Sequence, residues 1–567
     1  MDKAPSAAEQ AKIAGRYLRG SITEELENCE PVFSAPATGV LKFHGVYQQD
    51  DRDLRKSGTK QFSAMVRVGI PGGVLAPEQY LTLDRLADLG DGSLRITTRQ
   101  DVQYHYVPKA RLRELMRSLN ESYLGTLAAC GDVVRNVTSC PAPFENEQRR
   151  ELYPIVQFIS RSLKPKTTAY YEIWIDGEQA ISAEEAGENN VEPLYGATYL
   201  PRKFKVGFAF PGDNTTDIYA NDVGVVPEYE RGQLSGFTIL AGGGMGQSAG
   251  VKASHPRVAD PICSIGPSNE ELLEVVSAIV TIHRDFGNRS NRKLARLKYV
   301  LDAWGVAKFK QELEARVARE LSPPKPLVWN RANDYLGWHR QGSDSEGQPL
   351  WFVGIPVLAG RVKDFEEKRR IRTGLRTVVE QYRPGVRLTC QQNVYLTGIT
   401  NNDRLAITAL LRDHGISEPE QLPPVLRHAM SCPALPTCGQ AITESERIMP
   451  QVVAEIQAEL NRVGLRDQVV HLRTTGCPNG CARPYTAEIG IVGASVDMYT
   501  VYLGASPLGT RLGTAFARNV KRREIPALLR PIIEHYQEAR RPDESFGDFC
   551  HRVGVDTLRE LTVLAVA

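Results

Sequence analysis

Ten cysteines are the first residues of this sequence with chemistry to offer, and they are unevenly spread. Cys29, Cys130, Cys140, Cys263, Cys390 and Cys550 stand alone, and a lone cysteine is ordinarily a small buried hydrophobe. The other four fall in two close pairs, Cys432 with Cys438 and Cys477 with Cys481, within SCPALPTCGQ and TTGCPNGCARPYTAEIGIVG. The pattern is C-x5-C, then 38 residues, then C-x3-C. Four thiolates suit either a tetrahedral zinc ion or an iron–sulfur cluster. Zinc knuckles use shorter spacings than C-x5-C, and neither pair fits the C-x2-C run of bacterial ferredoxins. Prolines at 433, 436 and 478, with Gly476 and Gly480, keep backbone amides out of helices and free to point at sulfur, an arrangement that raises a cluster's potential.

The second set is cationic. Arg95 and Arg99, then Arg135, then Arg202, Lys203 and Lys205 come at short spacings, and 284–298 carries Arg284, Arg289, Arg292, Lys293, Arg296 and Lys298 against Asp285 alone. In strand-like TYLPRKFKVGF, residues 203 and 205 share a face, so two ammonium groups can converge. Read blind, each such residue is more often solvated surface charge. RNA binding is the sharper rival for 284–298, but no aromatic-rich nucleic-acid motif accompanies it. Lys+Arg 69 against Asp+Glu 67, a net charge of +2, gives no sequence-independent pull on phosphate. His105 reads alone as an inward strand histidine. The glycine run GGGMGQ (242–247) fails G-x-G-x-x-G at Gln247, so no nucleotide domain is expected.

The elements that must position these residues come in duplicate. Val68-Gly69-Ile70-Pro71 recurs as Val353-Gly354-Ile355-Pro356. Arg95, Thr97, Gln100 and Val102 match Arg387, Thr389, Gln392 and Val394, and Ser139-Cys140-Pro141-Ala142 recurs as Ser431-Cys432-Pro433-Ala434. In each copy a strand (AMVRVGI; PLWFVGI) enters a turn, then an apolar-periodic helix (EQYLTLDRLADLG; TGLRTVVEQYR), then a Thr/Val/Tyr-rich strand. Two such half-units can pair about a pseudo-twofold axis. Longer mixed segments follow each, with helices in NEELLEVVSAIVTIHRDFG and MPQVVAEIQAELNRVG. The Pro- and Gly-rich stretch between the halves reads as a linker.

Composition agrees with a folded chain: 567 residues, 42% hydrophobic and 24% charged, enough for three or four domains at roughly 150 residues each. No apolar run reaches about 18 residues, so no membrane span is expected. MDKAPSAAEQAKIAGRYLRG lacks a charged segment followed by an apolar one, so no signal peptide is read and a cytoplasmic location is expected.

The cysteine pattern with T-G-C-P-N-G-C-A-R resembles the assimilatory sulfite and nitrite reductases that couple sirohaem to a 4Fe–4S cluster. YLRGSITEELEN (17–28), KFHGVYQQDDRDLR (42–55), TYLPRKFKVGF (198–208), HRDFGNRSNRKLARLKY (283–299), YLGASPLGTRLG (502–513) and FGDFCHRVGV (546–555) resemble stretches of the haemoprotein (beta) subunit of the NADPH-dependent type. The resemblance implies a mixed α/β (α+β) fold: a pseudo-twofold duplication of ferredoxin-like half-domains plus two larger cofactor-binding α/β domains. The expected division is an N-terminal extension (1–60), half-domains at 61–130 and 350–420, a first sirohaem and substrate domain (131–325), a linker (326–349) and a cluster and sirohaem domain (421–567). It implies six-electron reduction of sulfite to sulfide, in sulfate assimilation and cysteine biosynthesis, with electrons from an NADPH-oxidising flavoprotein subunit or, alternatively, ferredoxin. Nitrite is the competing substrate on this scaffold. By motif, Arg67, Arg135, Lys203 and Lys205 would bind sulfite. Arg95, Arg99, Gln103, His105, Gly242, Gly243, Gly244, Arg289, Arg292, Lys293 and Asn479 would line the macrocycle. Cys432, Cys438, Cys477 and Cys481 would hold the cluster, with Cys481 also bridging to the sirohaem iron. No nucleic acid or membrane partner is expected, and a zinc-organised RNA-binding protein is the rival class.

Overall fold

The computed structural model describes residues 6–15, 17–58, 60–166, 173–175, 178–181, 192–366 and 368–564. Its frame is two five-stranded sheets built alike. One runs, in spatial order, Val46–Asp50, Phe62–Val68, Val102–Val107, Leu94–Ile96 and Arg361–Val362. The other runs Gly337–Ser343, Pro349–Ile355, Val394–Thr400, Gly385–Leu388 and Val74–Leu75. Strand alternation sorts the first sheet's side chains. Val66, Val68, Val102 and Tyr104 are buried apolar residues, and the Tyr104 hydroxyl donates to Leu83 O at 3.0 Å in the helix Pro77–Leu86. Arg67, Gln103 and His105 alternate with them and so point to the other face.

The halves are interlocked. The fifth strand of each sheet comes from the other half: Arg361 and Val362 pair with Arg95 and Leu94, while Val74 and Leu75 pair with Arg387 and Val386. The chain reaches each of these strands through a tight turn in the left-handed region. Gly72 and Gly73 have φ of 64° and 72°, and Ala359 and Gly360 have φ of 59° and 68°. A Cβ on Gly73 would strike Leu388 O and one on Gly360 would strike Ile96 O; these are equivalent positions (388 − 96 = 292). Gln100 and Gln392 repeat the symmetry, at φ of 58° and 70°. Each amide brackets the serine before a Cys-Pro: Gln100 bonds Ser139 N and O, and Gln392 bonds Ser431 N and O.

Two expected boundaries move. The strand Gly337–Ser343, inside the stretch read as a linker, pairs with Pro349–Ile355, and Val46–Asp50, inside the stretch read as an extension, pairs with Phe62–Val68. They are the equivalent first strands of the two halves (337 − 46 = 291). Each is an edge strand with one neighbour and a half-exposed surface, so neither needs the apolar alternation that marks a buried strand.

Each half leads into a second sheet. Val206–Phe208 lies parallel to Val223–Glu230, which continues antiparallel through Gln233–Ala241 and Asp260–Ile265. Met430–Ser431, Leu472–Thr475 and Ile489–Ser495 are parallel, followed antiparallel by Met498–Leu503 and Thr514–Lys521. The helix Asn269–Phe286 starts where Ser268 Oγ accepts from the Glu270 and Glu271 amides, the side-chain cap that a helix start requires. A separate apolar core around Val453, Ile456, Leu472, Ile491 and Leu529 supports the cysteine-bearing end. No helix among the described residues is long and apolar enough to cross a membrane.

Candidate active site: a cysteine loop facing a row of cations

Register builds the first wall of the site. Arg67 stands directly opposite Gln103, Gln103 opposite Arg95, and Arg95 opposite Arg361. Opposed residues of neighbouring antiparallel strands share a face, so an amide and three guanidiniums form one row across four strands. With its amide oxygen turned toward Arg67, Gln103 accepts from Nε at 3.1 Å and Nη2 at 2.5 Å. At the far end Glu446 takes both remaining arginines, Arg361 at 2.7 and 3.0 Å and Arg95 at 3.3 Å. His105 lies two residues along from Gln103. It is buried, and among the described residues neither ring nitrogen has a partner. Burial, then the charges of Arg361, Arg95 and Arg67, hold its pKa well below the ordinary histidine value. The imidazole is therefore neutral, an orphaned donor and acceptor facing a cationic row.

The second wall is the segment 133–139 laid parallel to 203–208. Phe204 N donates to Val133 O, Arg135 N to Phe204 O and Thr138 N to Val206 O. Phe204 is fully buried, so its neighbours Lys203 and Lys205 turn the opposite way. Neither ammonium has an ion pair or hydrogen bond among the described residues. Burial, then Arg135 and Arg202, bring Lys203 down to about 7 although Cys481 pulls it up. Burial and Lys203 itself lower Lys205 strongly. Arg135 spends part of its guanidinium on Gly131 O, at 3.2 and 3.3 Å.

The third wall carries the cysteines. Cys432 and Cys477 are buried, Cys438 is half-buried and Cys481 is exposed. Burial raises the thiol pKa of Cys432, Cys438 and Cys477, and the charge of Cys481 raises each further; for Cys477 the result is about 12. The four thiols thus share one field. Among the described residues no three His, Cys, Asp or Glu side chains are grouped to hold a single metal ion; four cysteine thiols are the donor set that an iron–sulfur cluster takes. Gly476 N donates to Cys432 Sγ at 3.3 Å and Asn479 Nδ2 to Cys477 Sγ at 3.4 Å, the amide-to-sulfur bonds that tune such a cluster.

Two locks bring the walls together. Thr98 Oγ1 donates to Cys481 O at 3.0 Å, and Arg483 Nη1 donates to Thr98 O at 3.1 Å. Arg483 is itself held by Asp217, which also takes Arg473 and Thr486. The glycine loop forms the other lock: Gln247 N donates to Pro478 O at 2.9 Å, and Lys298 Nζ donates to the carbonyls of Gly244, Gly246 and His255. The charge of Cys481 reaches both Arg67 and Lys203, so the cysteine set and the free cations occupy one site.

The structure separates the expected cations by role. Arg67 and Lys203 lie within reach of Cys481; Gln103 and His105 adjoin Arg67, and Arg135 and Lys205 adjoin Lys203. Arg99 is occupied by Asn221 Oδ1, Asn136 O and Val206 O, tying the turn to both strands of the second wall. Arg95 has Glu446 and Ser431 O, Arg292 clasps Asp132 at 2.6 and 2.9 Å, and Arg289 takes Glu9 and Tyr199 O. Lys293 is exposed. Packing within the protein accounts for the three glycines: a side chain on Gly242 would meet Leu301 and Arg257, on Gly243 the Tyr219 and Asn221 carbonyls, and on Gly244 Arg296. Sequence reasoning placed Lys298 in the basic run 284–298 without its task, and missed Asp101, Asp217, Arg361 and Glu446. Of these only Arg361 carried a signal, its place beside the second Gly-turn.

Comparison with known proteins agrees. Residues 157–321 and 424–566 match the nitrite and sulphite reductase 4Fe-4S domain, and 56–122 match the nitrite/sulfite reductase ferredoxin-like half domain. The ferredoxin sulfite reductase of Synechococcus elongatus is 42% identical over 98% of this chain and 91% of its own. The NADPH sulfite reductase hemoprotein beta-component of Myxococcus xanthus is 43% identical over 97% and 96%. Among solved structures, Mycobacterium tuberculosis NirA covers 98% of both chains with a TM-score of 0.77 at 24% identity, a likeness of fold. The chain belongs to the nitrite and sulfite reductase family.

Proposed function

We propose that this chain reduces sulfite to sulfide by six electrons, as the haemoprotein of an assimilatory sulfite reductase carrying sirohaem and a 4Fe–4S cluster. The observation that carries the reading is the hydrogen bond from Thr98 Oγ1 to Cys481 O at 3.0 Å, which seats the cysteine loop against the turn that follows Arg95 of the cationic row. Cysteines 432, 438, 477 and 481 would hold the cluster, His105, Gln103 and the outward donors of the cationic row would face the macrocycle, and the two groups supply single-electron transfer. The chain's own residues supply the rest. Arg67 and Arg135 draw the anion in by charge, and Lys203 and Lys205, whose pKa values burial lowers, add protons and hydrogen bonds that hold it there. Reducing hydrogen sulfite to hydrosulfide consumes six electrons and six protons and releases three waters. The two lysines, without partners of their own, hydrogen-bond the oxygens and hand over protons as each leaves. Arg67 keeps its orientation through Gln103. A separate protein delivers the electrons; relatives named for NADPH and for ferredoxin both align along the chain, and either donor class fits. A cytoplasmic location accords with this chemistry.

Nitrite is the second reading, because the matching family spans both anions. The test is Lys203→Met and Arg135→Ala. Both variants are expected to keep the visible spectrum of the purified protein and to lose about a hundredfold or more of sulfite turnover with reduced viologen. Wild-type turnover in both would remove these residues from the reaction.

A further inference from the structure

Arg67 has a second neighbour besides Gln103. Asp101 is 1% exposed, and its Oδ2 lies 4.0 Å from Arg67 Nε. The Ile70 backbone amide approaches the carboxyl, as Val357 N approaches its counterpart in the other half, but among the described residues neither oxygen has a hydrogen bond of good geometry, where a buried carboxylate ordinarily has more than one. The duplication supplies an internal control. The equivalent position in the other half is Asn393 (393 − 101 = 292), whose Oδ1 accepts from Val357 N at 2.9 Å and whose Nδ2 donates to Asp334 at 2.8 Å. Packing of this turn is thus fully satisfied by a neutral amide. Only the half that faces the cations carries an acid there, and its nearest charged partner is the one arginine whose row position opens on the site.

We propose that Asp101 is a positioning residue of the anion site: its carboxyl holds Arg67 and, by ionising or not, sets how much of the Arg67 charge is left for an incoming oxyanion. The inference rests on the assignment of Arg67 to anion binding. The charged groups facing Asp101 are Arg67 from Phe62–Val68, Arg99 on its own turn and Arg135 from the segment after Gly131; burial outweighs all three and the Ile70 amide, and raises the carboxyl to about 7. Below that pH Asp101 is neutral and Arg67 presents its full charge. Above it a carboxylate stands behind Arg67 and opposes the anion. Removing this acid should therefore tighten anion binding, and only on the alkaline side.

The experiment uses nitrite as the probe, because it stays a monoanion through this window while sulfite itself changes protonation. Its inhibition constant against sulfite is measured on the holoenzyme for wild type and Asp101→Asn. Lys203 and Lys205 also titrate in this field, so the readout is the ratio of wild type to variant at each pH, in which their contribution cancels. The expected ratio is near one at about pH 6 and about ten at about pH 8, the variant binding more tightly. In an Arg67→Ala background, adding Asp101→Asn should change nothing at either pH. Infrared difference spectra between the two pH values should show a protonated-carboxyl band in wild type that Asp101→Asn lacks. A ratio independent of pH, with Arg67→Ala weakening nitrite, overturns the role of Asp101 and leaves the anion site standing. Unchanged nitrite affinity in Arg67→Ala overturns both.

Discussion

Asp217 is the residue on which the cysteine loop's position most depends. One oxygen of this buried carboxylate, Oδ2, accepts from Arg483 Nε at 2.6 Å, Arg473 Nη1 at 2.8 Å and Thr486 Oγ1 at 3.0 Å. Asp217→Asn preserves the shape and removes the charge, leaving two buried guanidiniums without a counter-ion. At an effective dielectric constant of about 20, each guanidinium–carboxylate attraction at about 4 Å is about 4 kcal/mol. Solvent and side-chain relaxation recover part of this, and breaking a buried pair from one side costs about 3–5 kcal/mol. A chain of several domains has no single unfolding free energy, so the assay is amide hydrogen exchange of residues 477–486. A loss of about 3 kcal/mol lowers protection there about a hundredfold. Adding Arg473→Met removes one of the two stranded charges and should restore part of that protection. Protection within about threefold of wild type, or a double variant no better than the single, would refute the hub. The pH dependence has a definite sign. Burial opposes ionisation, but Arg473 and Arg483 prevail and lower the Asp217 pKa. Its contribution is complete above the ordinary carboxylate value of about 3.9 and is lost as pH falls through the lower folded value. Acid, not alkali, should release the loop.

Two further outcomes follow from the same geometry. Lys298→Met removes the ammonium that joins the carbonyls of Gly244, Gly246 and His255; with this three-way tie lost, limited proteolysis should cut the 242–255 segment sooner, and unchanged cleavage would deny Lys298 that task. Gly73→Ala and Gly360→Ala each force a side chain into a carbonyl of the opposite half at positive φ, which should cost more than about 1 kcal/mol each, seen as a lower thermal midpoint for both variants. A midpoint shift in only one of them would mean the two turns are not equivalent in load.

The half-units and the cysteine set were legible because both are local or periodic. Val68-Gly69-Ile70-Pro71 and its copy, the Ser-Cys-Pro-Ala pair and C-x3-C announce themselves within a few residues. The convergence of Lys203 and Lys205 was legible too, since a strand turns residues i and i+2 the same way. What escaped was long-range. Nothing near Arg95 in the chain foretells Glu446, 351 residues away, so the ion pair that holds Arg95 could not be read from its surroundings in the sequence. The exchange of Val74–Leu75 and Arg361–Val362 between halves involves two residues each, too short for any pattern. Asp101 lies unremarked between the matched residues Gln100 and Val102, because its significance is burial beside Arg67, which only the folded neighbourhood reveals.

The central claim is that one site couples an iron–sulfur and haem-type centre to a cationic anion pocket for complete reduction of sulfite. The most direct measurement is the number of electrons taken from reduced viologen per sulfide released by the purified chain. The account predicts six, with no free intermediate and with sulfide matching sulfite consumed. A colourless, iron-free chain that forms no sulfide, or turnover that stops at a partly reduced sulfur species, would contradict it.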